Sequence, residues 1–150
     1  MKKTKGRDIA IASDHAALDL KKQIVAYLLK QGHEVIDMGP RTRQSVNYPE
    51  YGKKVAAAVA KGEFSRGILI CGTGIGMSIT ANRFKGVRAA LVHDTYTARL
   101  AKAHNNANIL VLGGRVTGPG VAEEMVETWL KTKFEAGRHQ ERLDMIDSAC

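Results

Sequence analysis

The hexapeptide Cys71-Gly72-Thr73-Gly74-Ile75-Gly76 concentrates more chemical potential than any other stretch of the chain. A short apolar run, Gly67 to Ile70, precedes it, and Met77-Ser78-Ile79-Thr80-Ala81-Asn82 reads as the opening of a helix. A thiol able to act as nucleophile or base is thereby placed at the carboxyl end of a buried strand, directly before a glycine turn. Glycines let the backbone turn sharply and approach a ligand closely. The free N–H groups of a helix start favour negative charge, whether a substrate anion or a thiolate. For the glycines and the cysteine alone, a structural turn beside an inert buried thiol is the competing reading. A nucleotide loop fits less well. The spacing is G-x-G-x-G with Met77 in the deciding place, no acidic strand end follows about 20 residues on, and no G-x-x-x-x-G-K-[ST] loop occurs.

Other polar residues join this turn. Asp14-His15 follows a first strand, and Arg115 follows a fifth. In a parallel sheet, ligands collect outside the carboxyl ends of the strands, and His104-Asn105, just before the fifth strand, is expected at the same rim. Each has a plainer use: Asp14 can cap the first helix, and His104 can serve as a helix-end cation or a packing residue. His93-Asp94 also ends a strand, where capping of the next helix suffices. Arg138 and Arg142, four apart, share one helix face. Like charges so spaced repel by roughly 0.2–0.5 kcal/mol, which an anion between them would relieve. Glu135, Glu141 and Asp144 offer the alternative of a balanced, solvated face.

Alternating strand and helix patterns must position these groups. Strands are expected at Ile9 to Ala12, His33 to Asp37, Gly67 to Cys71, Val87 to Val92 and Asn108 to Leu112. Helices are expected at Ala16 to Lys30, Glu50 to Lys61, from the glycine turn to about Arg83, Tyr96 to Ala103, Val121 to Phe134 and Arg138 to Ser148. The first of these carries Leu18, Val25, Leu28 and Leu29 on its apolar side, and Met38 to Pro49 forms a polar loop. Five strands joined by helical crossovers define an α/β fold: three layers, α/β/α, Rossmann-like, around a five-stranded parallel sheet. Residues 1–150 read as a single domain, without linker, repeat or low-complexity stretch.

Composition narrows the partners. A net charge of +8 invites nucleic acid, but Lys and Arg are spread along the chain and aromatic residues make up only 5%. A basic surface that attracts phosphorylated small molecules accounts for the charge equally well. Cys71 and Cys150 do not form a disulfide framework. The apolar segment after the basic opening, Ile9 to Ala12, is too short for a signal peptide, and no run approaches membrane length. A soluble, cytoplasmic protein with neither nucleic acid nor membrane as partner is expected.

Taken together, Ser13-Asp14-His15, Asn47-Tyr48-Pro49, Cys71 to Gly76, Ser78, Asn82, His104-Asn105-Asn106-Ala107-Asn108 and Arg138-His139-Gln140-x-Arg142 resemble type B ribose-5-phosphate isomerase. The same family includes allose- and galactose-6-phosphate isomerases. The resemblance runs in matching order from about residue 7 to 147. It implies a metal- and cofactor-free aldose–ketose isomerisation through an enediolate, interconverting ribose 5-phosphate and ribulose 5-phosphate in the pentose phosphate pathway. By this resemblance Cys71 is the base moving a proton between C1 and C2, and the amides of Gly72 to Gly76, Gly74 and Ile75 included, hold the enediolate oxygens with Ser78. His104 opens the sugar ring, Asp14 and Thr73 assist proton traffic, and Asn105 holds hydroxyls. His15, Arg115, Arg138 and Arg142 take the phosphate, and Tyr48 joins the substrate-binding residues. The family shares its site between subunits of a homodimer, alone or in a dimer of dimers.

The residue chemistry agrees, since removing a proton beside a carbonyl needs a tuned base and preorganised donors at the developing oxyanion. Two positions depart from the family pattern. Asn47 stands where Asp is usual before Tyr-Pro, which bears on a carboxylate contact near the substrate. Ala136 replaces a common Gly before Gly137-Arg138, which bears on the angle of the last helix. The alternatives are a six-carbon sugar phosphate as substrate, or a non-catalytic sugar-phosphate-binding subunit.

Overall fold

The computed structural model describes residues 7–149; the start of the basic opening and Cys150 lie outside the described residues. Five strands form one sheet: β1 (Arg7–Ser13), β2 (Val35–Asp37), β3 (Phe64–Cys71), β4 (Ala89–Leu91) and β5 (Ile109–Gly113). Their order is β2-β1-β3-β5-β4 and every pairing is parallel. The helices are α1 (Leu18–Lys30), α2 (Tyr48–Ala60), α3 (Ile75–Ala81), α4 (Thr95–Ala103), α5 (Pro119–Lys131) and α6 (Arg138–Asp147). The α/β class and the five-stranded parallel sheet read from the sequence are thus found.

Alternation along the central strands separates two cores. Ile9, Ile11, Ile68, Ile70, Leu110 and Leu112 pack against α1, α4 and α5. Ala10, Ala12, Leu69, Cys71, Ile109 and Val111 pack against α2 and α3. Burial on both faces is why these strands read as apolar runs without a polar side. Chain order leaves β1 in one direction to β2 and in the other to β3, so a switch point opens at the carboxyl ends of β1 and β3.

Several boundaries move for local reasons. Helix α2 starts at Tyr48 rather than Glu50, because Pro49 fits a first helical turn where no N–H bond is required. Helix α3 starts at Ile75 rather than Met77. Helix α5 ends at Lys131 rather than Phe134: Thr132 takes an extended conformation, with its hydroxyl donating to the Thr128 carbonyl at 2.6 Å. Strand β4 keeps only three of the six expected residues, at the sheet's edge.

On α1 the apolar side is Leu18, Leu20, Ile24 and Leu28, whereas Leu29 is 55% exposed. The same face carries Lys21, a fully buried cation. Its Nζ donates to Asp37 Oδ1 at 2.9 Å and to the Pro40 carbonyl. A buried charge needs such partners, and here they tie α1 to the loop that follows β2.

Candidate active site

Cys71 is the last residue of β3 and pairs with Gly113, the last of β5. The turns beyond them are laced together: the Gly114 N–H donates to the Cys71 carbonyl at 2.8 Å, and the Arg115 N–H to the Gly72 carbonyl at 2.9 Å. A side chain at Gly113 would lie 2.7 Å from the Thr73 carbonyl oxygen, so only glycine lets the turns meet. The thiol is 5% exposed, and its Sγ accepts a hydrogen bond from the Gly74 N–H at 3.2 Å. The Ile75 N–H is occupied by Thr73 Oγ1, also at 3.2 Å. Two of the five turn amides expected to face a ligand are therefore committed within the turn, one of them to the sulfur itself.

Around this turn stand most of the first group of candidates. Asp14 follows β1, and its Oδ1 accepts from the Ala17 N–H at 2.9 Å, so the capping use is present. Its own N–H donates to the Ile70 carbonyl at 3.0 Å, one residue before Cys71. His15 Nδ1 accepts from the Val46 N–H at 3.1 Å, joining the rim to the loop before α2. The Tyr48 ring covers Gly76, where a Cβ would meet the ring at 2.4 Å. The Arg115 side chain lies against Gly72, its Cδ 3.5 Å from where a Cβ would stand. Ser78 sits in the first turns of α3, with its N–H donating to the Gly74 carbonyl at 3.0 Å. Asp14, His15, Tyr48, Cys71 to Gly76, Ser78 and Arg115 thus share the carboxyl rim.

His104 and Asn105 do not. They leave α4 and precede β5, so they lie at the amino edge of the sheet, the opposite edge from Cys71. The four steps of β5 alone, at about 3.3 Å each, separate the edges by about 13 Å. The expectation of a common rim fails because helices run antiparallel to the strands they connect: a helix end just before a strand is at the wrong edge. The last helix is at this second edge too. His139 stacks on His104 with ring centroids 4.2 Å apart and planes at 13°, and the Glu135 N–H donates to the Ala103 carbonyl at 2.9 Å. Arg138 and Arg142 are exposed on α6 beside this cluster. Nearby, burial holds the Lys102 ammonium below its usual range, helped by the positive charges of Arg66 and Arg88.

Some residues escaped the sequence reading. Glu135 appeared only as a neutralising charge, yet its Oε2 lies 3.3 Å from His139 Nε2 and 3.7 Å from His104 Nε2. Asn82 and Asn108, noted only as family positions, fasten the edge strand. Asn82 exchanges two hydrogen bonds of 2.9 Å with the Ala89 backbone, while Asn108 accepts from Arg88 N–H and donates to the Gly86 carbonyl, both at 2.8 Å. A groove of about 570 Å³ lies away from Cys71. It runs along β4, lined by Leu91, Leu100, Ala107, Leu143 and Ile146, and Asn105 is the one candidate residue on it.

A parallel α/β sheet with a thiol, a glycine turn and cations at its switch point has the layout of an enzyme acting on a small anionic molecule. Comparison with known proteins makes this specific. Residues 9–146 match the family described as Ribose/Galactose Isomerase. Ribose-5-phosphate isomerase B of Escherichia coli is 46% identical over 140 residues, 93% of this chain and 94% of that protein. The structure of Clostridium thermocellum ribose-5-phosphate isomerase B superposes with a TM-score of 0.93 at 50% identity, covering 95% of this chain and 96% of the other. That of Mycoplasma genitalium ribose-5-phosphate isomerase B with bound ribulose-5-phosphate gives 0.92 at 43% identity, covering 95% of each. The chain belongs to the ribose/galactose isomerase family, and its class is that of the sugar-phosphate isomerases. Among the described residues, no helix is long and apolar enough to cross a membrane.

Proposed function

We propose that this protein interconverts ribose 5-phosphate and ribulose 5-phosphate through an enediolate, with Cys71 as the base. The carrying observation is the thiol held at the switch point by the Gly74 N–H, in a turn that lies within the residues matched to the isomerase family. In this reading Cys71 takes the proton from C2 of the open-chain aldose and returns it to C1. The negative charge that develops on the enediolate oxygens is met by the turn amides not engaged by sulfur or Thr73, together with Ser78. Asp14 and Thr73 pass protons between the oxygens. No metal enters these steps, since the amides do the work of a Lewis acid.

Ring opening precedes isomerisation. The O1 hydroxyl proton of the furanose goes to a base while the C1–O4 bond breaks, and O4 takes up a proton. His104 would serve here, Asn105 would hold hydroxyls, and His15, Tyr48, Arg115, Arg138 and Arg142 would bind the remainder of the substrate, chiefly its phosphate. These residues divide between two opposite edges of one chain, which supports a site completed by a second copy: the carboxyl rim of one subunit facing the His104 edge of the other. The free edge of β4 and its apolar groove offer surface for that association.

Purified protein assayed on ribose 5-phosphate, allose 6-phosphate and galactose 6-phosphate tests the reading. Turnover is expected on ribose 5-phosphate. Cys71→Ala is expected to abolish it while sugar-phosphate binding by calorimetry persists. Activity of Cys71→Ala within a few-fold of wild type would remove Cys71 as the base. Preference for a six-carbon phosphate would reassign the substrate.

A further inference from the structure

His104 closes α4, with its side chain 36% exposed, a position from which an imidazole would ordinarily turn freely. It is instead flanked on two sides. One face stacks on His139, which is buried to 7% exposure and so cannot yield. The Nε2 edge of both rings faces the same oxygen, Glu135 Oε2, at 3.7 Å from His104 and 3.3 Å from His139. No hydrogen bond to His104 Nδ1 occurs among the described residues.

The backbone is shaped to keep this arrangement. The Glu135 N–H donates to the carbonyl of Ala103, the residue just before His104, at 2.9 Å. The next two residues, Ala136 and Gly137, both take φ +56°, and His139 N–H then donates to the Ala136 carbonyl at 3.1 Å as α6 begins. Alanine at positive φ is strained and persists only where surroundings over-determine it. Here the surroundings are the two contacts that bring Glu135 and His139 to His104.

Three ligand-type side chains within 4.8 Å of one another suggest a metal ion first. The ring geometry argues against it. Nearly parallel stacked imidazoles direct their in-plane lone pairs side by side, whereas chelation requires them to converge on one point about 2.0–2.1 Å from each nitrogen. A carboxylate on the Nε2 side does something else: it favours the tautomer with hydrogen on Nε2, leaving the Nδ1 lone pair as the proton acceptor.

We propose that Glu135 is a positioning residue for His104, fixing its ring orientation and tautomer against the buried His139 so that Nδ1 is presented to the sugar. The proposal rests on the reading of His104 as the ring-opening residue. In that step Nδ1 accepts the O1 hydroxyl proton as C1–O4 breaks, then delivers the proton to O4, so nothing else is consumed.

The test is a double-mutant cycle on ribose 5-phosphate with Glu135→Gln, Glu135→Asp, His104→Asn and the combination His104→Asn with Glu135→Gln. Glu135→Gln is expected to lower kcat roughly 10-fold, a part of the 10²–10⁴ that general acid–base catalysis contributes, with KM within about twofold. Glu135→Asp recovers part of that loss. Adding Glu135→Gln to His104→Asn costs nothing more, because the carboxylate acts only through the imidazole. Losses that multiply, or near-wild-type kcat in Glu135→Gln, overturn the proposal. A readout independent of turnover is the ¹⁵N spectrum of the imidazoles. Glu135→Gln is expected to shift the His104 ring signals while Tm stays within about 2 °C, and unchanged signals also overturn the proposal. Should wild-type protein fail to isomerise ribose 5-phosphate, the isomerase reading falls, while the spectra still decide whether Glu135 sets His104.

Discussion

Gly74 sits at φ +82°, with its absent Cβ 2.4 Å from Leu91 Cδ1 and 3.0 Å from the Leu112 carbonyl oxygen. Its N–H is the donor to Cys71 Sγ. Conformation, space and donor direction therefore coincide in one residue. Gly74→Ala is expected to cost at least about 1–2 kcal/mol, the strain of a side chain in the left-handed region, measurable by thermal melting. Because the turn would shift away from the thiol, turnover is expected to fall about 100-fold; a variant that melts and turns over like wild type would show that the turn tolerates a Cβ. The glycines of this turn were legible in the sequence since their spacing matched no nucleotide loop. That Gly74 N–H serves the sulfur was not, because no sequence pattern reveals which of five amides points inward.

At the scale of elements, the amino ends of the strands are held by charge. Asp8 on β1 contacts His33 Nδ1, just before β2, at 2.6 Å, and Arg66 on β3. Burial alone would push the Asp8 carboxyl up, but the hydrogen bonds from His33 and Arg66 outweigh it and hold the group below its ordinary range. A carboxylate depressed in the folded state stabilises at pH above its unfolded value, near 3.9, and the benefit is lost as pH falls through the folded value. Asp8→Asn is therefore expected to destabilise by about 1–3 kcal/mol at pH 7, in urea titrations repeated down the pH scale. The difference from wild type should fade below about pH 4; a difference independent of pH would mean that packing rather than charge is involved. Periodicity revealed every strand and helix here, since long apolar runs flanked by glycine leave little choice. It overran at β4 and α5, where hydrogen bonds from Asn82 and Thr132 to distant or local carbonyls, invisible in a linear pattern, set the ends. It also counted Leu29 as core and passed over Lys21, because helical spacing locates a face but not a buried cation whose partners come from another element.

For the whole molecule, the division of candidates between two edges matters most. It was hidden from the sequence because closeness of His104 to β5 along the chain was taken for closeness to its carboxyl end. A mixing experiment tests the shared site. A charge-assisted contact is worth roughly 1.5–3 kcal/mol, so Arg142→Ala is expected to weaken substrate binding about 10- to 150-fold. Combined in equal amounts with Cys71→Ala and assayed well below KM, it should restore roughly a quarter of wild-type activity, since random pairing gives half mixed dimers, each with one intact site. If both residues act within one chain, every site keeps a lesion and nothing returns. Subunit exchange is confirmed by mass spectrometry, so that continued inactivity rules out the shared arrangement.

The length of the sheet then has a meaning beyond architecture. With the thiol at the end of β3, beside one end of β5, and the imidazole past the other end of β5, the backbone of a lone chain keeps the two groups apart. On the shared-site reading, catalysis is a property of encounter between chains. Below the dissociation constant of the pair, the amount of working enzyme grows as the square of the amount of protein made, by mass action. Synthesis would be read out not in proportion but with a threshold, a sensitivity to abundance created by nothing more than the distance between two ends of a strand.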